Sequence, residues 1–140
     1  MILLDTKVVS EPLRPRPDGK VLAWLDAQPA ESLYLATVSL AELLFGVASL
    51  PAGKRRTILA AALHEQVAIL FGDRIIAFDL AAAEAYALIV TRARRHGCPI
   101  AVADAQIAAI ATSRHFAVAT RDEAPFHAAG VPLINPWAVH

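Results

Sequence analysis

The feature that most restricts the fold is an alternation running the length of the chain. Short apolar runs give way, in turn, to long alanine- and leucine-rich segments. ILL at 2–4, LYLATV at 33–38 and AVAT at 117–120 are runs of the first kind, as expected of strands buried on both faces. Strands are expected over 2–5, 32–38, 74–78, 117–121 and 132–134. Helices are expected between them, over 18–27, 39–50, 54–71, 79–96 and 101–114. Asp18, Ser39 and Asp79 stand where N-caps belong, Gly97 suits a helix C-terminus, and Pro51, Pro99 and Pro132 punctuate the connections. Strand alternating with helix predicts a three-layer α/β/α fold around a mainly parallel five-stranded sheet. No repeat or linker interrupts it, so residues 1–140 are read as one domain.

Composition removes several functional classes. Hydrophobic residues make up 56% and charged residues 19%, so the chain folds, and its apolar surplus anticipates coverage by a second copy or a partner. Thirteen basic and thirteen acidic residues cancel, leaving no global field to attract nucleic acid. The single Cys98 excludes an intrachain disulfide and suits a reducing compartment. The histidines lack zinc-ligand spacing. The apolar stretch ILAAALHEQVAILF at 58–71 is broken by His64-Glu65-Gln66, so no membrane span is expected. Asp5 arrives too early for a secretory apolar region. The expectation is a cytoplasmic protein.

In open parallel sheets, sites form beyond the carboxyl ends of the strands, so the acids that follow the apolar runs carry the most information. Asp5 ends the first run, and a turn-capping role competes with an active-site role. Glu42 completes Ser39-Leu40-Ala41-Glu42, an S-x-x-E capping box, yet a first-turn glutamate also reaches the sheet edge. Asp104 falls within the apolar stripe Ile100, Ala103, Ile107, Ile110 and Ala111, with no Lys or Arg three or four residues away. Its charge therefore needs a tertiary partner, either a basic side chain or a cation shared with other acids. Asp122 ends AVATRD and is a turn or cap residue or a fourth acid. Asp79 directly opens a strong helix and is assigned to capping alone. Carboxylates converging without His or Cys describe a hard oxygen site that selects Mg²⁺ or Mn²⁺. Such a site suits phosphodiester hydrolysis. Like charges so close should raise at least one carboxyl pKa.

MILLDTKVVSEPLRP, ATVSLAELLFGV, IAVADAQIAAIA, VATRDEAPF and the closing INPW together resemble a PIN-domain ribonuclease, in the branch of the VapC/FitB-type toxins of bacterial toxin–antitoxin pairs. The resemblance implies a PIN-like fold, an acidic metal site of Asp5, Glu42, Asp104 and Asp122, and a supporting hydroxyl at Thr120 beside the last acid. It implies a Mg²⁺-dependent endoribonuclease, with Mn²⁺ as substitute, neutralised by a VapB/FitA-type antitoxin that wraps the toxin and inserts a basic side chain among the acids. It further implies a homodimer that meets operator DNA only through the antitoxin.

One position departs from the family, which usually reads Asp-Thr-Asn-Val where this chain has Asp5-Thr6-Lys7-Val8. On an extended backbone Lys7 would share a side with Asp5, and an ammonium about 4 Å from a carboxylate gains about 4 kcal/mol before desolvation. That suggests an alternative: a catalytically weakened PIN-fold protein serving mainly to bind its antitoxin in an autoregulatory complex. Against it stands a Lys7 that simply extends to water or to a phosphate. The basic groups near Arg14, Arg16 and Lys20, at Lys54-Arg55-Arg56 and at Arg92, Arg94 and Arg95 are ordinarily solvated faces. Arg14 and Arg16 are the expected RNA-backbone contacts. Receiver and haloacid-dehalogenase folds also place an aspartate after the first strand, but they require acidic partners that are missing here.

Overall fold

The computed structural model describes residues 1–138. Its elements are β1 (Ile2–Leu4), α1 (Thr6–Ser10), α2 (Gly19–Ala27), β2 (Leu33–Ala36), α3 (Thr37–Ala48), α4 (Lys54–Phe71), β3 (Ile75–Ile76), α5 (Leu80–Arg95), α6 (Val102–Arg114), β4 (Ala117–Ala119), α7 (Glu123–Ala128) and β5 (Leu133–Ile134), with 3₁₀ turns at Glu11–Leu13 and Ala30–Ser32. The strands form one sheet in the order β3-β2-β1-β4-β5, every pairing parallel.

That order follows from handed crossovers. The chain steps from β1 outward to β2 and β3, then crosses to the other side of β1 for β4 and β5. Right-handed connections in opposite directions place their helices on opposite faces. Two separate cores result. Leu4, Leu33, Leu35 and Ala119 pack against α1 through α4, while Leu3, Ala36, Ile76 and Val118 pack against α5 through α7. Adjacent residues such as Leu3 and Leu4 thus serve different cores, as the period-two geometry of a strand requires.

All five expected strands and five expected helices are present, the helices within two residues at each end. The strands are shorter than expected; after β1 and β2 a helix takes over early, at Thr6 and Thr37. The capping box is the clearest correction. α3 starts at Thr37 with Ala36 in the N-cap position, so Ser39 is not a cap and Glu42 lies inside the helix. Ser39 is fully buried, and its hydroxyl has no hydrogen-bond partner among the described residues. Asp18 and Asp79 do cap, accepting from the N–H of Lys20 at 2.8 Å and of Ala82 at 3.0 Å. Gly97 follows α5 at φ +67°, the left-handed region glycine tolerates.

Two short helices lie outside the expected set. α1 is too brief to show a helical period; it forms because Asp5 caps it and Val8 and Val9 are fully buried beneath it. α7 is similarly held by fully buried Phe126. α6 also differs from the single stripe expected, since Ala105 and every residue from Ile107 to Ala111 are buried. Its alanines let it lie between α5 and the sheet, with only its first turn reaching the rim.

Candidate active site

The strand order reverses between β1 and β4, and ligands of such sheets bind outside the carboxyl ends at that point. Asp5 leaves β1 there, and Thr120 and Asp122 leave β4. The Asp5 N–H donates to the Ala119 carbonyl at 2.9 Å, so the two strand ends are bound side by side.

Two threonines link the acids. Thr120, fully buried, donates its hydroxyl to Asp5 Oδ2 at 2.9 Å and accepts from the Asp122 N–H at 3.0 Å. On the other side, the Thr6 N–H donates to Asp5 Oδ1 at 2.8 Å while its hydroxyl donates to Glu42 Oε1 at 3.0 Å. Glu42, Thr6, Asp5, Thr120 and the Asp122 backbone therefore form one continuous network. Asp5 both caps α1 and faces the other acids. The two roles are compatible, because a carboxylate has acceptor capacity for both. Asp122 occupies the N-cap position of α7 yet makes no side-chain cap bond, leaving its carboxylate uncommitted.

Asp104 enters from the opposite core on the first turn of α6, half-buried. Burial pushes its carboxyl above the ordinary value, the charges of Asp5, Asp122 and Glu42 push it further, and Lys7 pulls it back. Burial also raises Asp5, against the Thr120 and Thr6 hydrogen bonds and the charge of Lys7, with Asp122 adding to the rise. The expected rise therefore occurs, but desolvation outweighs repulsion as its cause. The ion pairs among the described residues are Arg14–Glu11 and Arg114–Asp79, so neither engages these four acids.

The donor set is all oxygen, the chemistry that suits Mg²⁺ or Mn²⁺. The side chains are not drawn into a ready-made cage: among the described residues no three His, Cys, Asp or Glu groups are placed to hold an ion. Mutual repulsion opposes such a collapse.

Of the two placements weighed for Lys7, the structure has the one that extends to water. It lies in α1, not on an extended backbone, and is exposed without an ion pair to any carboxylate among the described residues. Its charge nevertheless reaches Asp5 and Asp104. Arg14 lines the space beside Thr6 and Glu42; Arg16 is exposed and lines neither that space nor the depression next to Lys7.

The PIN-domain family profile matches residues 2–131. The chain is a PIN domain. It is 50% identical over 137 residues to the VapC ribonuclease Y4jK of Sinorhizobium fredii, covering 98% of each protein. It is 48% identical to Toxin FitB of Neisseria gonorrhoeae, over 98% of this PIN domain and 99% of that protein. The solved structure of FitAB bound to an IR36 DNA fragment superposes with a TM-score of 0.95 at 46% identity, covering 100% of this PIN domain and 98% of that chain. Among the described residues no helix of this PIN domain is long and apolar enough to cross a membrane.

Three further residues stand out around the site: Glu11, which the sequence does not mark, Arg121, which follows the β4 run, and Trp137, expected to pack in the core or a dimer surface and found packed against the core. Glu11 is buried, Arg121 adjoins Asp122, and Trp137 lies under the Arg121 guanidinium at 5.3 Å. Arg121 is legible by adjacency; the other two acquire their places only through tertiary contacts.

Proposed function

We propose that this PIN domain is the toxin of a toxin–antitoxin pair and acts in the cytoplasm as a Mg²⁺- or Mn²⁺-dependent endoribonuclease. The observation that supports the reading is the placement of Asp5 and Asp122 beyond neighbouring strand ends, with Asp104 and Glu42 near enough for their charges to act in the same region and none of the four ion-paired to an Arg or Lys among the described residues. An acidic cluster of this kind is costly unless a cation offsets it. The names of its relatives, a VapC ribonuclease and Toxin FitB, support the same reading.

Asp5, Asp104, Asp122 and Glu42 are the residues that would hold the cation, with Asp5 oriented by Thr120 and Glu42 by Thr6. The bound cation would supply an activated water and stabilise the departing oxygen of the phosphodiester. The protein's own contribution is rigidity. Each threonine hydroxyl fixes one carboxylate, and the backbone bond between β1 and β4 fixes the separation of Asp5 from Asp122.

Beside Thr6 and Glu42 opens a groove of about 900 Å³, lined by apolar residues such as Leu13, Val47, Leu50 and Ile58 and rimmed by Arg14 and Lys54. It fits the apolar face of an antitoxin segment whose basic side chain would enter among the acids. FitAB bound to DNA supports a complex in which the antitoxin carries the operator contact. Phe45, Ile69, Leu80 and Leu88 are each at least 74% exposed, consistent with a homodimer that covers part of this surface. The weakened-enzyme alternative rests on Lys7, which makes no ion pair with the acids among the described residues but whose charge favours the ionised forms of Asp5 and Asp104.

The test is cleavage of RNA by the purified protein with Mn²⁺ against chelator, and again with Asp104→Asn. Mn²⁺-dependent cleavage that disappears in the variant supports the reading. Cleavage that survives Asp104→Asn refutes the four-acid site, and a Lys7→Asn protein far faster than the parent favours the weakened-enzyme alternative.

A further inference from the structure

The acids that would hold a cation also repel a polyanion, and the chain as a whole carries no net charge to offset this. An RNA strand crossing the site therefore needs local cations to hold the phosphates on either side of the scissile one. A depression near Asp5 and Asp122 in the chain offers three of them. About 380 Å³ in volume, it is lined by Lys7, Ser10, Glu11, Arg14, Arg121 and Trp137. Three cations from three separate segments meet there with a single carboxylate. Lys7 stands two residues after Asp5 and Arg121 one residue before Asp122, so two of its three cations lie next along the chain to the acids.

Each guanidinium has its own support. Glu11 is 4% exposed, accepts from the Asp18 N–H at 3.0 Å through one oxygen, and holds Arg14 at 3.3 Å through the other. It thereby fixes both ends of the turn that carries Arg14. Arg121 sits 5.3 Å from the ring centroid of Trp137, a residue whose backbone is itself tied to Asn135. Neither support uses up the cation. The Arg14 side chain is 59% exposed, and neither the Lys7 nor the Arg121 side chain has an ion pair among the described residues. A buried glutamate anchoring an exposed arginine, beside two cations with no ion pair among the described residues, presents several donors to phosphate oxygens.

We propose that Lys7, Arg14 and Arg121 form a cradle for a backbone phosphate of single-stranded RNA flanking the acidic site, with Glu11 and Trp137 as positioning residues for its two arginines. The proposal rests on the ribonuclease reading for its substrate, and it gives Lys7 a role at the substrate in place of one at the metal.

The test is fluorescence anisotropy with a labelled single-stranded RNA, using the full chain carrying Asp104→Asn so that turnover does not consume the probe. Affinity is measured across a salt series. Removing one cation from a phosphate should take about 0.7 from the slope of log affinity against log salt. Arg121→Gln and Lys7→Gln should each show that reduction, while Arg94→Gln, at the exposed end of α5, keeps the parent slope. Trp137→Leu should weaken binding about two- to fivefold, with Trp137→Phe restoring most of it, as a cation–π support predicts. Glu11→Gln should be non-additive with Arg14→Gln, because both remove the same interaction with RNA. Parent slopes in both the Arg121 and Lys7 variants, or no RNA binding by the parent, overturn the cradle. If RNA binds with the predicted slopes but the wild-type protein never cleaves it with Mn²⁺, the ribonuclease reading falls and the cradle stands.

Discussion

Asp5 and Asp79 are the same residue type in the same local setting with opposite consequences. Each leaves a strand and opens a helix, and each accepts a backbone N–H within that helix's first turn. Asp79 follows the edge strand β3, is exposed, and lies 3.9 Å from Arg114. Asp5 follows the central strand β1, is 7% exposed, and has Asp122 and Asp104 as charged neighbours. Capping and the Arg114 ion pair account for Asp79, whereas capping accounts for Asp5 only in part. What separates the two aspartates is the strand on which each sits, because the centre of the sheet is where its connections diverge.

Paired substitution is the strongest way to break this contrast. Asp5→Asn should lower Mn²⁺-dependent RNA cleavage on the order of a hundredfold or more, since it removes a charge from the proposed cation site. Asp79→Asn should leave cleavage unchanged, because Asn caps as well as Asp, and Asp79→Ala should cost only about 1 kcal/mol in urea unfolding. Equal falls in cleavage at the two positions would erase the distinction.

Metal linkage is the next largest effect. Mn²⁺ at about a hundred times its dissociation constant should stabilise the wild-type protein by about 2.7 kcal/mol. Calorimetry should show that gain vanish in Asp5→Asn and persist in Asp79→Asn.

A second pair, of buried hydroxyls, sharpens the contrast. Thr120 has two hydrogen-bond partners and Ser39 has none among the described residues. Thr120→Val should cost about 1.5–3 kcal/mol, because it strips a buried hydrogen bond from a carboxylate. Ser39→Ala should stay within about 0.5 kcal/mol of the parent in the same denaturation series.

The smallest effect is on pH dependence. Asp5 and Asp104 are raised above 3.8 in the folded protein, so the native state binds their protons more tightly than the unfolded chain. That contribution is complete below 3.8 and is lost as pH rises through the raised folded values. In chelator, stability should therefore fall with rising pH across this mildly acidic window. Asp5→Asn should flatten the slope, and Asp79→Asn should leave it alone. A slope of opposite sign in chelator would refute the desolvated site.

The architecture is legible in the sequence because strand and helix periods are local properties. The helix expected over 54–71 forms with those bounds, and ILL before Asp5 correctly announces a buried central strand. The four acids are legible as candidates because each ends an apolar run or interrupts an apolar stripe. Expectation and structure part where tertiary packing overrides a local motif. Ser39-Leu40-Ala41-Glu42 satisfies the capping-box pattern, but α3 begins at Thr37 and turns Glu42 toward Thr6. An extended backbone would set Lys7 beside Asp5, but burial of Val8 and Val9 wraps that segment into α1.

By itself, then, the chain's pattern determined that strands alternate with helices, that the sheet is parallel, and that carboxylates end its strands, since each of these depends on neighbours in sequence. Only the tertiary structure decided that Thr120 bonds Asp5, that Glu11 anchors Arg14, and that Trp137 lies beneath Arg121. The reason is separation along the chain. Asp5 and Thr120 are 115 residues apart, and only pairing of β1 with β4 sets the carboxylate beside the hydroxyl that orients it.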